Sequence, residues 1–281
     1  MKKGITKFVA MTIAAALAAS SLTGCGASSG KSAGSASLIN GAENDAVSPE
    51  TDNGGDSSEK GFVGSETDTV QWFNASYAIL TEINGNDYNV FGGGTPNAVS
   101  EAMYQAMLDN SWGVTDRESA DETLDWILTE GHRTDFMYTG ELLSMMAEEC
   151  GEDELVNFLM QEYDESQEEA EYDAAIYEMY KEYGDTAIAG WDYCRALSLM
   201  SFYYMAGYYT KEEALDKSLE IAETLQPMYH SWDELVDSYL RGYEYWAEED
   251  SSERREIYEE LLEANDNPFR VDYNTTLEKT W

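Results

Sequence analysis

Residues 186–210, TAIAGWDYCRALSLMSFYYMAGYYT, contain two charged side chains, Asp192 and Arg195, in a chain that carries 56 Asp and Glu. A helix that is apolar nearly all round is buried on every side, either in lipid or in protein. This one contains five tyrosines, two internal serines, an Asp and an Arg, and its flanks are acidic, not basic. A membrane span has the opposite character. The stretch therefore predicts the central helix of a globular bundle, with the other helices wrapped around it.

At 100° per residue, Ile188, Asp192, Arg195, Leu199 and Phe202 share one narrow sector of that helix. The two charges thus sit among apolar neighbours. Asp192 and Arg195 are i, i+3 neighbours and can meet as an ion pair. Two roles follow. In the first, Arg195 bridges Asp192 to acceptors on a neighbouring helix and fixes its register. In the second, the pair lines a pocket and Arg195 grips an anionic ligand.

The rest of the chain from Thr67 onward is also helical in pattern. Capping signatures open three segments: Thr115-Asp-Arg-Glu118, Thr210-Lys-Glu-Glu213 and Ser231-Trp-Asp-Glu234. Gly131 reads as a stop after the first of these. The third precedes a stripe of Leu235, Val236, Tyr239, Leu240, Tyr243 and Trp246, beside which Gly242 permits close helix approach. Further helices are expected over 70–83, 97–110, 134–149, 152–183 with a possible break, and 251–264. Alternating strand patterns are scarce, and the fold class is all-α, a single multi-helix globular domain over 67–281.

The first 66 residues have a different composition. A basic start (Lys2, Lys3, Lys7) and an apolar run precede Leu22-Thr23-Gly24-Cys25. This resembles a bacterial lipobox, which implies a signal peptide over 1–24 and an acylated Cys25, palmitate being one such chain. Two or three acyl chains anchor a protein firmly to a bilayer, here on the extracytoplasmic face of the cell membrane. Residues 26–66 are rich in Gly, Ser and acids and lack hydrophobic periodicity. With Cys25 they form a flexible tether over 25–66, whose reach is about 35 Å.

Charge excludes some partners. With 16 Lys and Arg against 56 acids the formal charge is −40, and cleavage removes three lysines and no acid. Nucleic acid is not a partner of such a body. Catalytic signatures are also missing. The two histidines, His132 and His230, sit at helix boundaries without metal-ligand spacing. No P-loop is present. Carboxylate pairs carry little information among so many acids. No cofactor or metal is implied. Cys150 and Cys194 either pair after export or remain as buried thiols.

Residues Gly190-Trp191-Asp192 with Arg195, Ala206-Gly207-Tyr208, Ser231-Trp232 with Glu234, and Leu240, Gly242 and Trp246 form an ordered set. Together they resemble a bacterial family known only as a domain of unknown function, numbered twelve sixty-six. Earlier residues match more loosely: Trp72, Ala78 to Thr81 with Asn84, Trp112-Gly113-Val114, and Gly131-His132-Arg133 with Phe136. The resemblance covers most of 70–246 and implies a helical domain with no established activity. The expected function is that of a membrane-anchored lipoprotein binding an envelope protein, a peptide or a glycan. An envelope hydrolase using acids near His132 or Asp192, and a small-molecule sensor anchored on Arg195, are the alternatives. The candidate site is Asp192 and Arg195, surrounded by Trp191, Tyr208, Trp232, Glu234 and His132.

Overall fold

Short polar residues open the helices where their side chains can take up free N–H groups. The computed structural model describes residues 66–281. The expected signal peptide, the lipidated Cys25 and the tether up to residue 65 lie outside the described residues. Helices α1 (Asp68–Ser76) and α2 (Ala78–Ile83) replace the single helix expected over 70–83, breaking at Tyr77 (φ −122°, ψ 21°). Helix α3 (Ala98–Trp112) is capped by Asn97, which accepts from the N–H groups of Val99 and Ser100. Helix α4 (Arg117–Thr129) starts one residue later than the sequence signature suggests. Its cap is Asp116, reciprocated by Ser119, in place of Thr115 and Glu118.

Helix α5 (Gly131–Cys150) follows almost without a linker, so Gly131 opens a helix as well as ending one. The segment 152–183 is indeed broken, into α6 (Leu155–Glu162) and α7 (Gln167–Tyr183). Ser166 and Glu169 form the capping box of α7. Helix α8 (Ala189–Met205) is the low-charge stretch, and every residue in it except Phe202 and Tyr204 is buried. Helix α9 (Lys211–Leu225) carries the expected Thr210–Glu213 box. Helices α10 (Trp232–Ala247) and α11 (Ser252–Glu263) complete the set. No strand occurs among the described residues, and the fold is all-α.

Helix α8 is the axis. It touches α1, α3, α4, α5, α9 and α10, and the main core is assembled around it. A smaller core joins α5, α6 and α7. Gly242 explains how near α10 can come to α8: a Cβ there would lie 2.1 Å from Cβ of Trp191. The C-terminal segment is pinned back by indoles, with Trp72 Nε1 donating to the Tyr273 carbonyl (2.9 Å) and Trp232 Nε1 to that of Val271 (2.8 Å). No helix among the described residues is long and apolar enough to cross a membrane. Cys150 and Cys194 are both free thiols.

Candidate functional site

The two charges of α8 do not form the ion pair that their spacing suggests. Asp192 is fully buried and turns to α5. Its Oδ1 accepts from the His132 N–H (3.1 Å) and contacts His132 Nδ1 (2.9 Å). Its Oδ2 accepts from the Arg133 N–H (3.0 Å) and from Arg133 Nη1 (3.0 Å). An α-helix begins with N–H groups that lack intrahelical partners and with a partial positive charge. The residue before α5, Glu130, provides no side-chain cap. Asp192 caps that helix from another part of the chain, and Arg133 supplies the counter-charge. Gly131 makes the approach possible, with φ +59° and a hypothetical Cβ only 2.3 Å from Asp192 Oδ2. Arg133 also donates to the carbonyls of Ile127 and Leu128, so one guanidinium ties the end of α4 to the start of α5.

Arg195 is left without Asp192 as a hydrogen-bonding partner. It is 7% exposed, and its Nη1 is buried with no hydrogen-bond partner. Indoles surround it. Its Cζ lies 4.2 Å from the ring centroid of Trp112, 4.7 Å from Trp191 and 5.4 Å from Trp246. These faces attract a cation but accept no strong hydrogen bond. Burial pulls the guanidinium's pKa down to about 10, opposed by the nearby Asp192 charge and the Tyr239 phenol. It remains protonated at neutral pH.

Arg195 lines a cavity of ≈ 300 Å³. The walls come from distant segments. Trp112 is the last residue of α3, which ends at Gly113 in the left-handed conformation, φ +67°. Trp191 belongs to the first turn of α8 and Trp246 to the last turn of α10. Their rings lie 5.5 Å apart. Tyr104, Phe202 and Tyr239 add further aromatic surface, and Asn84, Asn86 and Met103 also line the cavity. Arg254 of α11 is a second cation there, donating to the Tyr239 hydroxyl (3.2 Å) and lying 4.1 Å over the Tyr243 ring.

Of the residues singled out in the sequence, Trp191 and Arg195 share this cavity. His132 is beside it, its ring 6.5 Å from that of Trp191 and 5.3 Å from Trp126, held by Asp192. The others are placed elsewhere. Trp232 packs on Trp72 at 5.3 Å and on Tyr273 at 5.1 Å, fastening the C-terminal segment. The Glu234 carboxylate accepts from the His230 N–H (2.8 Å), and its own N–H donates to Ser231 Oγ (3.2 Å), so both serve the start of α10. Tyr208 lies in the α8–α9 turn, where its N–H donates to the Tyr203 carbonyl (2.9 Å). Sequence reasoning missed Trp112, Trp246 and Arg254 as site residues. The signals available were the place of Trp112 and Trp246 in the family resemblance, and Arg254 as a base in an acidic stretch. Among the described residues, no cluster of three or more His, Cys, Asp or Glu side chains is arranged to hold a metal ion.

No curated protein and no solved structure is found to match the chain. A family match runs over residues 107–273. It therefore contains α4 to α11 and the three indoles around Arg195, and it begins after the loosely matching residues Trp72 to Asn84. On that match, the chain belongs to the family described as Protein of unknown function (DUF1266).

Proposed function

We propose that the helical domain binds a small anionic molecule in the cavity beside Arg195, and that lipid on Cys25 holds it at the extracytoplasmic face of a membrane. The observation that carries the first part is Arg195 itself. A buried charge without a hydrogen-bonding partner is costly, and a structural role is better served by an apolar side chain of similar volume. A ligand anchor has a reason to remain charged and unpaired. The cavity beside it lies at the lower end of the range for small-molecule sites, and apolar walls with a few polar groups are their usual construction.

Asp192 supports the division of labour. Both of its oxygens are occupied in holding α5, so it faces no open space as a catalytic base. The anchoring part rests on the basic start, the apolar run and Cys25 in the sequence. It is tested by Cys25→Ala, which releases the protein from the membrane fraction; unchanged lipid labelling refutes it.

The binding part is tested by thermal unfolding with a panel of small carboxylates, phosphates and sulfonates. A ligand at a hundred times its Kd stabilises by about 2.7 kcal/mol, or roughly 5–11 °C for a domain of this size. The shift is expected in the wild type and lost in Arg195→Met. A shift that survives in that variant refutes the role of Arg195.

A further inference from the structure

The unpaired groups around the cavity narrow the ligand to one chemical class, an inference that rests on the anion-binding reading above. We propose that the ligand is a monocarboxylate with a compact apolar body, its carboxylate on Arg195 and its body between the indoles. Three observations point this way.

The first is the balance of donors and acceptors. Two side-chain nitrogens of cavity-lining residues are buried without a partner, Arg195 Nη1 and Trp191 Nε1. Both are donors. The hydroxyls among the lining residues bond elsewhere: Ser198 Oγ donates to the Arg195 carbonyl (2.8 Å), and the Tyr239 hydroxyl accepts from Arg254 (3.2 Å). Neither nitrogen finds an acceptor in the protein. A carboxylate brings acceptor oxygens, and its charge makes a hydrogen bond to a guanidinium a strong one.

The second is charge. One cation is deeply buried here, and Arg254 is half-buried. A dianion brings an excess negative charge into a poorly solvated site, where it costs far more than in water. The chain's charge of −40 also repels multiply charged anions on approach. A phosphate monoester fails on both counts.

The third is shape. Trp112, Trp191 and Trp246 crowd the guanidinium, with ring centroids 4.2, 4.7 and 5.4 Å from its Cζ, so an anion that reaches it lies with its body against the rings. At ≈ 300 Å³ the cavity is at the small end of ligand sites and suits a compact body. Met103 is 65% exposed and also lines the cavity, giving an adaptable apolar rim to any longer body.

The test uses the full-length protein and three probes of matched size: phenylacetate, phenyl phosphate and phenylacetamide. Binding is followed by calorimetry and by the emission of the cavity indoles. Phenylacetate is expected to bind and to shift that emission, with affinity lowered at least tenfold in Arg195→Met, the effect of losing roughly one charge-assisted contact. Arg195→Lys keeps the charge but loses the fork and is expected to bind between the two. Circular dichroism of each variant identifies any that fails to fold. Phenyl phosphate binding as tightly as phenylacetate, still dependent on Arg195, overturns the monocarboxylate class and leaves the anion site standing. Equal binding of phenylacetamide overturns the charge argument. No Arg195-dependent binding of either anion at millimolar concentration overturns the anion-binding reading itself.

Discussion

Replacing Asp192 with Asn separates the two charges of α8 by their energetics. The carboxylate accepts from two backbone N–H groups and from Arg133, and contacts the His132 ring, all within 3.1 Å. Asparagine keeps one accepting oxygen and turns an NH₂ toward donors. It also leaves Arg133 without a carboxylate partner. Breaking a buried pair in this way costs about 3–5 kcal/mol. Arg133 retains the Ile127 and Leu128 carbonyls, so the lower figure applies, about 3 kcal/mol or roughly 6–12 °C in Tm. Arg195→Met behaves differently. It removes a buried charge that makes no side-chain hydrogen bond, and the lost cation–π contacts are offset by lost desolvation. Its stability stays within about 1 kcal/mol of the wild type or rises. Thermal melts of the singles, of Arg133→Met and of the doubles give the couplings. The Asp192–Arg133 coupling is expected near 2 kcal/mol and the Asp192–Arg195 coupling below about 1 kcal/mol. An Asp192–Arg195 coupling as large as that with Arg133 refutes the assignment of partners.

Three further outcomes are expected. Gly242→Ala forces a methyl into the Trp191 side chain and separates α8 from α10, at about 3 kcal/mol by chemical denaturation; a neutral result means the helices can part freely. Burial raises the phenols of Tyr77, Tyr239, Tyr245 and Tyr273 above their ordinary 10.0, and those of Tyr88 and Tyr229 to about 12. Above pH 10 the unfolded chain loses phenolic protons that the folded protein keeps, so this stability is full below about pH 10 and is lost as pH climbs through the folded values. Tyrosinate absorbance should then rise together with loss of helical ellipticity, and gradual titration without unfolding contradicts it. Finally, a thiol reagent should modify Cys150 in the native protein but reach Cys194, 2% exposed with a thiol pushed up by burial, only in denaturant.

Much of the fold was legible because its signals are local. A helix start is written in a few adjacent residues, as in Thr210 to Glu213, and a buried helix in its lack of charge. Ser166 to Glu169 was equally readable, but the possible break in 152–183 was left without a position. The α5 start was not readable, because its cap is an aspartate about sixty residues further on. Spacing on a helix shows only which side chains share a face. It put Asp192 beside Arg195 correctly and gave no account of the stronger partners waiting on α5.

The sequence by itself determined the all-α class, the central place of residues 186–210 and the acidity of the chain. These depend on composition and on periods of a few residues. The tertiary structure alone decided which partner each charge took. It turned Asp192 into a cap for α5 and left Arg195 among three indoles drawn from residues 112, 191 and 246. Hydrogen bonds and cavities are made where distant segments meet, and burial makes an unpaired charge costly enough to mark the place.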